Sequence, residues 1–287
     1  RVLWAFIIFS FVWCGADCFS WKPSTHLSLA THYKKSARVA NVHHRHYRQL
    51  FAESQQARMV ISPEGPGEAT INVVEGPFQG QFGLWFVDSH DAQEVLAYRL
   101  SLLAAATSLA LGTFVALTSL STPNSIAEWS LDLCAVGFFA SFGVSLTTIH
   151  IYMKPLHNML KALWLGGVLG SLGAAVAAPS HHLVLSTIQH PELLLASGWV
   201  FVALTGLFFK EFACFQRWEA SILFGLVPVL TGGHFLQILP SNVEQAMAVA
   251  LAATFMFFSF RKFGQPLKAD IGDKTIFEYM AREESAQ

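Results

Sequence analysis

Six residues near the ends of apolar stretches hold most of the chain's chemical options: His150, His157, Lys210, Glu211, Arg217 and His234. With the Cys214 thiol, the imidazoles and the carboxylate are the ligand types a transition metal takes. Their spacing argues against a metal site, because no H-x-x-E or E-x-x-H pair occurs and Pro155 interrupts any helix joining His150 to His157. The expected roles are structural. His150 meets carbonyls at a helix end, and Lys210 extends its ammonium to the membrane interface. Glu211 lies ~100° further round the helix and is partly buried against a basic or histidine partner such as His150 or Arg217.

His234 follows Gly232 and Gly233 inside an apolar run. A neutral imidazole beside glycines suits the magnesium of a chlorophyll or the iron of a haem, since small residues let a flat ring approach the backbone. A second histidine at similar depth, needed for bis-histidine haem, is missing from the sequence, and a histidine bonded across helices is the competing account. No cofactor is required by the sequence. There is no phosphate-cradling glycine loop, no G-x-S-x-G and no HExxH, so no catalytic residue is assigned and the reading leans away from an enzyme.

The elements that must position these residues are membrane helices. Hydrophobic residues make up 53% of the chain and charged residues 13%, against about 25% charged in a soluble domain, and mean hydropathy is +0.44. Apolar spans cover residues 100–120, 133–153, 162–178, 193–209, 220–239 and 246–260, each near the ~20 residues that cross a bilayer. Lys and Arg alternate between their connections: Arg58 and Arg99 precede the first span, Lys154 and Lys161 follow the second, Lys210 and Arg217 the fourth, Arg261 and Lys262 the sixth. The other three connections hold none. This positive-inside pattern predicts an all-α, six-helix transmembrane bundle with both ends on the basic side. Gly166, Gly170 and Gly173 in the third span, and Gly232 and Gly233 in the fifth, offer small-residue faces for close helix packing. Pro228 with its neighbouring glycines is a candidate helix break. Net charge of −1 gives no reason to expect a nucleic-acid partner.

Outside the bundle the chain divides by composition. Residues 1–18 read as a signal peptide, with an apolar run too short to span and small residues before Phe19. Residues 19–58 are basic, hydroxylated and almost free of acid, like a transit peptide. Residues 59–95 read as a soluble pre-membrane segment with an extended or β-like stretch, residues 96–263 as the transmembrane domain and residues 264–287 as a soluble tail. Asp88 or Ser89 is expected to cap a helix starting near His90, and Thr275-x-x-Glu278 to open a short tail helix.

Several polar-rich strings are specific: QGQFG (79–83), EVLAYR (94–99), GVSLTTIHIYMKPLH (143–157), ALTGLFFKEFACF (203–215) and RKFGQPLKADIGDKTIFEYM (261–280). On these, residues 75–287 resemble the domain-of-unknown-function 2301 family of cyanobacterial and plastid integral membrane proteins. The resemblance implies a photosynthetic membrane and no particular activity. A bipartite presequence of signal and transit parts points the same way, to a thylakoid or inner-envelope protein with stromal termini. The expected function is a non-enzymatic assembly, scaffold or auxiliary factor, with the lipid bilayer and photosynthetic membrane complexes as partners. A small-solute or ion transporter and a chlorophyll- or haem-binding subunit are the alternatives.

Overall fold

The computed structural model of the protein describes residues 73–119, 125–178 and 180–285. The expected signal peptide and transit-like segment lie outside the described residues. The described part opens with an antiparallel hairpin, β1 (Val73–Gln79) and β2 (Leu84–Asp88), in which Phe78 pairs with Trp85 and Gln79 with Leu84. Period-two alternation sorts β2: Trp85 and Val87 are buried, Leu84 and Phe86 exposed. Asp88 then caps α1 (Ser89–Ser119). The Asp91 amide donates to Asp88 Oδ1 at 2.9 Å and the Asp88 amide to Asp91 Oδ2 at 2.8 Å, a reciprocal arrangement that satisfies two otherwise free amides.

Among the described residues, seven further helices complete the membrane part and two more form the tail. The membrane part comprises α2 (Ser125–Thr148), α3 (Lys154–Ala177), α4 (Leu183–Gln189), a 3-10 turn (Pro191–Leu193), α5 (Leu194–Ser197), α6 (Trp199–Phe215), α7 (Trp218–Phe235) and α8 (Ser241–Lys262). The tail holds α9 (Leu267–Ile271) and α10 (Lys274–Ser285). Helix α1 packs on α2 and α8, and α6 on α3 and α7. Their shared core holds Tyr98, Leu102, Phe142, Leu204, Phe208 and Phe255, all almost wholly buried. The Phe208 ring meets Phe255 and Phe258 edge-on, at 5.2 and 5.8 Å between centroids. The outer surface is apolar instead of charged, with Leu133 74% and Val176 77% exposed, as expected of a surface whose solvent is lipid.

Among the described residues, α1, α2, α3 and α8 are long and apolar enough to cross a membrane, and the pair Pro191–Ser197 with Trp199–Phe215, bent by 62°, makes a fifth span if counted as one. The expected count of six is not reached. Helix α7 is the shortfall: it is 18 residues long, with Glu219 in its first turn and His234 in its last. It also runs unbroken through Pro228, so the sharp bend lies at Gly198, away from the expected position. Close packing likewise uses different glycines. An added Cβ on Gly167 would collide with the Val200 backbone and one on Gly170 with Ala196, whereas Gly166, Gly173 and Gly232 face open space and Gly233 abuts Leu239. Of the expected glycine face on α3, only Gly170 lies at the helix contact. A four-residue repeat drifts round the helix, and the chain approaches along the line of Gly167 and Gly170, α6 at the first and α5 at the second.

The hairpin and the tail dock on each other at the α1 N-terminus and the α8 C-terminus, so residues 73–99 and 261–285 occupy one end of the bundle. Trp85, Val87, Val95 and Ile271 form a second small core there. Phe82 stacks on Tyr279 at 4.3 Å. Asp273 accepts from the Gln81 amide at 2.6 Å and from the Thr275 amide and hydroxyl at 3.0 and 2.6 Å. It caps α10 from one residue before the helix, so the expected Thr275–Glu278 box is not the device used. Gly272 turns the chain at φ +81°, and the space a side chain would need is filled by the Tyr152 hydroxyl, which accepts the Asp273 amide at 2.6 Å.

Candidate functional site

A network of buried charges joins this cap to the bundle. Tyr98 and Arg99 come from the third turn of α1, Lys210 and Glu211 from the end of α6, Lys262 from the end of α8, and Asp270 from α9. Helix α6 stops just after the pair, where Gln216 adopts left-handed φ 50° and its amide closes on the Phe212 carbonyl.

Glu211, wholly buried, accepts from the Tyr98 hydroxyl at 2.7 Å, from Lys262 Nζ at 2.8 Å and from Lys210 Nζ at 3.4 Å. Lys262, also 0% exposed, donates to Asp270 as well. Arg99 closes the far end with its Nε at 2.8 Å and Nη2 at 2.5 Å from Asp270 Oδ2. Its Nη2 also donates to the Gln265 carbonyl at 2.7 Å, which pins the turn between α8 and α9. The Phe215 ring lies under both ammonium groups, 4.4 Å from Lys210 Nζ and 5.1 Å from Lys262 Nζ. Three cations and two anions share this volume. Burying them without partners would be prohibitive, so each is held by the others.

A further carboxylate is buried in the first turn of α7. Glu219, 0% exposed, has Arg217 Nη2 at 2.9 Å and Arg261 Nη1 at 3.0 Å. These are ion-pair distances without hydrogen-bond alignment, since both Glu219 oxygens and Arg217 Nε and Nη2 lack a bonded partner. Arg217 Nη1 reaches Gln265 Oε1 at 3.4 Å.

The structure places the expected site residues as follows. Glu211 is buried against basic groups, but its partners are Lys262, Lys210 and Tyr98, and neither His150 nor Arg217 bonds it. Lys210 does not extend to the interface: it is 8% exposed and turned inward to Glu211. Adjacent residues diverge by ~100° at the backbone, yet the flexible four-carbon stem of a lysine bends back across that angle. His150 pairs with Glu94 Oε2 at 3.2 Å, and burial holds its imidazole below the ordinary histidine value although Glu94 opposes the shift. His157 Nε2 meets the Leu146 carbonyl at 2.5 Å and ties α3 to the end of α2. His234 stands one residue from the end of α7, not at mid-span. Its Nδ1 lies 3.3 Å from both Glu244 oxygens and its Nε2 3.4 Å from the Thr187 carbonyl. With both nitrogens facing protein oxygens, the ring has none directed at a metal. Among the described residues no group of three or more His, Cys, Asp or Glu is placed to hold a metal ion.

Sequence reasoning missed Tyr98, Arg99, Lys262 and Asp270. It treated Arg99 and Lys262 as markers of the basic side, and a signal was present all the same. The three strings EVLAYR, ALTGLFFKEFACF and RKFGQPLKADIGDKTIFEYM together contain every member of the network.

Residues 144–279, from the last turn and a half of α2 to α10, match a family model described as "Uncharacterized integral membrane protein (DUF2301)". Over this segment the chain is similar to that family. The matched segment holds Lys210, Glu211, Lys262 and Asp270, whereas Tyr98, Arg99 and the hairpin precede it. No curated protein and no solved structure matches the chain significantly.

Outside the spans, the cap carries its own electrostatics. Asp88 is held below the ordinary aspartate value, chiefly by the Asp91 amide. At Asp273 burial raises the value, but the bonds from Thr275 and Gln81 outweigh it and the net direction is down. At Lys274 burial lowers the value, and the bonds to Asp91 (2.8 Å) and Asp88 (3.3 Å) reverse that, so the net direction is up.

Proposed function

We propose that the protein is a non-enzymatic scaffold or assembly factor of a plastid membrane, thylakoid or inner envelope, with both ends of the mature chain on the stromal side. In this reading residues 1–18 and 19–58 are the two parts of its presequence, and α7 joins the five apolar spans as the sixth. The plastid assignment is supported by the composition of residues 1–58 and by the family resemblance of the strings above. The observation that carries the scaffold reading is the buried network. It commits its charges to one another and fixes a surface cap rigidly to the bundle, which is the property a docking platform needs. That cap presents Val74, Leu84 and Phe86 outward beside the stacked Phe82 and Tyr279, an apolar patch above the membrane suited to a protein partner.

The test is native purification of the tagged full chain in mild detergent. A stoichiometric membrane complex that is lost in the Leu84→Glu, Phe86→Glu double variant is the expected result. A protein that purifies alone, or a complex indifferent to both substitutions, rejects the reading. A small-solute transporter is the second reading, favoured by the bend at Gly198 and by a cleft of about 260 Å³ lined by Gln189, His234 and Glu244. Substrate flux into proteoliposomes that is abolished by Glu244→Gln would establish it in place of the first.

A further inference from the structure

At the end of the bundle opposite the charge network, α2 and α3 part to leave a cleft of about 530 Å³. Leu133, Val136, Leu172, Val176 and Leu183 wall it, and Trp129 stands at its rim. Leu133, Val176 and Trp129 are each more than two-thirds exposed on helices that are membrane-span candidates, so the cleft opens toward lipid. One end is polar. Asp132, 8% exposed, holds His182 Nδ1 at 2.7 Å and accepts the Val184 amide at 3.2 Å. Glu128 lies 3.4 Å from His182 Nε2, and the Trp129 ring meets the imidazole edge-on at 5.3 Å. The exposed imidazole of His181, carried on a left-handed φ of 57°, lines the same cleft.

The charge at this end selects the occupant. Asp132 lines it and Glu128 stands against His182, no Lys or Arg occurs in residues 121–153 or 179–192, and among the described residues the basic groups beside these carboxylates are the imidazoles of His181 and His182. An anionic head group would meet Glu128 and Asp132 without a fixed cation to receive it. The volume is that of a pocket for one compact ligand, and the apolar walls suit a single tail. We propose that this cleft binds a neutral, single-tailed lipid drawn from the bilayer, its hydroxyl or carbonyl head bonded to His181 at the end buttressed by the His182–Asp132 pair. The Trp129 ring at the rim covers the junction of head and tail. This proposal is independent of the scaffold reading, because it uses the opposite end of the molecule.

The test uses the full chain in nanodiscs of zwitterionic phospholipid, with a decyl-tailed benzoquinone as probe. The readout is quenching of the Trp129 component of fluorescence, isolated as wild type minus Trp129→Phe. Saturable quenching is expected, displaced by decanol and not by decyl sulfate. Val176→Phe, which fills the cleft, should raise the half-saturating concentration about tenfold or more. His181→Ala removes an exposed side chain, keeps the test usable if Val176→Phe does not fold, and should raise it severalfold. Quenching that merely follows partitioning without saturation, equal displacement by decyl sulfate, or an unchanged half-saturation in His181→Ala overturns the proposal.

Discussion

Glu211→Gln is the substitution that most directly tests the buried network. In the native protein Arg99, Lys210 and Lys262 face Glu211 and Asp270, a net of one positive charge. Removing the Glu211 charge leaves three cations around one carboxylate. Asp270 still serves Arg99 and Lys262, but Lys210 then has no anion within bonding distance. Breaking a buried pair from one side costs about 3–5 kcal/mol, and Glu211→Gln should fall in that range. Lys210→Gln should cost about 1 kcal/mol or less, because it removes the most distant of the three contacts to Glu211, at 3.4 Å, and leaves two cations for two anions. Lys262→Met lies between them: it loses two charge-assisted bonds, yet Asp270 keeps Arg99 and Glu211 keeps Tyr98 and Lys210. The double variant Glu211→Gln, Lys262→Met restores the native net charge, so it should be about 1–3 kcal/mol more stable than the sum of its parts predicts. Reversible SDS or thermal unfolding of the full chain in bicelles reads all four, and accumulation in the membrane gives a second, coarser readout. Additivity of the double variant, or Lys210→Gln as damaging as Glu211→Gln, would refute the network as a mutually compensating unit.

The cap and the helix contacts give three further tests. Asp273→Ala removes the acceptor for the Gln81 and Thr275 amides; it should cost about 1–2 kcal/mol locally and speed hydrogen exchange at Gln81 and Phe82 while the core helices stay protected. For pH, the lowered Asp88 and Asp273 stabilise the docked cap above the ordinary aspartate value of 3.8 and cease to do so as pH falls through their depressed native values. The raised Lys274 stabilises it below 10.5 and is lost as pH rises beyond that value, so hairpin exchange relative to the intrinsic rate should be flat between these limits, and loosening at pH 6–8 would contradict the assignment. Gly167→Leu and Gly170→Leu should each prevent accumulation of folded protein, since their side chains would meet the α6 backbone and Ala196, whereas Gly166→Leu, pointing to open space, should leave the melting temperature within a few degrees.

What could be read in the sequence was what depends on one local property. Apolar length located α1, α2, α3 and α8, because lipid exposure makes a span's hydropathy nearly independent of its neighbours. The Asp88 cap was legible because a capping bond closes within four residues. The rest turned on partners far apart in the chain. Asp270 lies 171 residues from Arg99 and 8 from Lys262, and no periodicity announces such a meeting. The glycine contacts failed for a related reason. The G-x-x-x-G spacing at 166 and 170 describes a helix face, but which face is covered was decided by where α6 leaves its 62° bend.

The buried cations show why a topology signal is poor evidence about environment. Arg99, Lys210 and Lys262 were counted as basic-side markers, and a residue counted that way is readily pictured in water or among lipid head groups. The positive-inside bias concerns the chain as it inserts, when an isolated helix must keep its cations on one side. Nothing in that requirement keeps them exposed once the helices assemble. In the structure they lie at one level of the bundle, and that shared level lets Glu211 and Asp270 reach them from α6 and α9. Asp270 neutralises cations brought by α1 and α8, and Glu211 one from α8 and one from its own helix, so the network can form only when α1, α6, α8 and the tail have all arrived. The charges that orient separate helices thereby become the ones that register them against one another, which explains why Lys262, at the end of its helix where snorkelling would be easiest, is among the most deeply buried side chains in the protein.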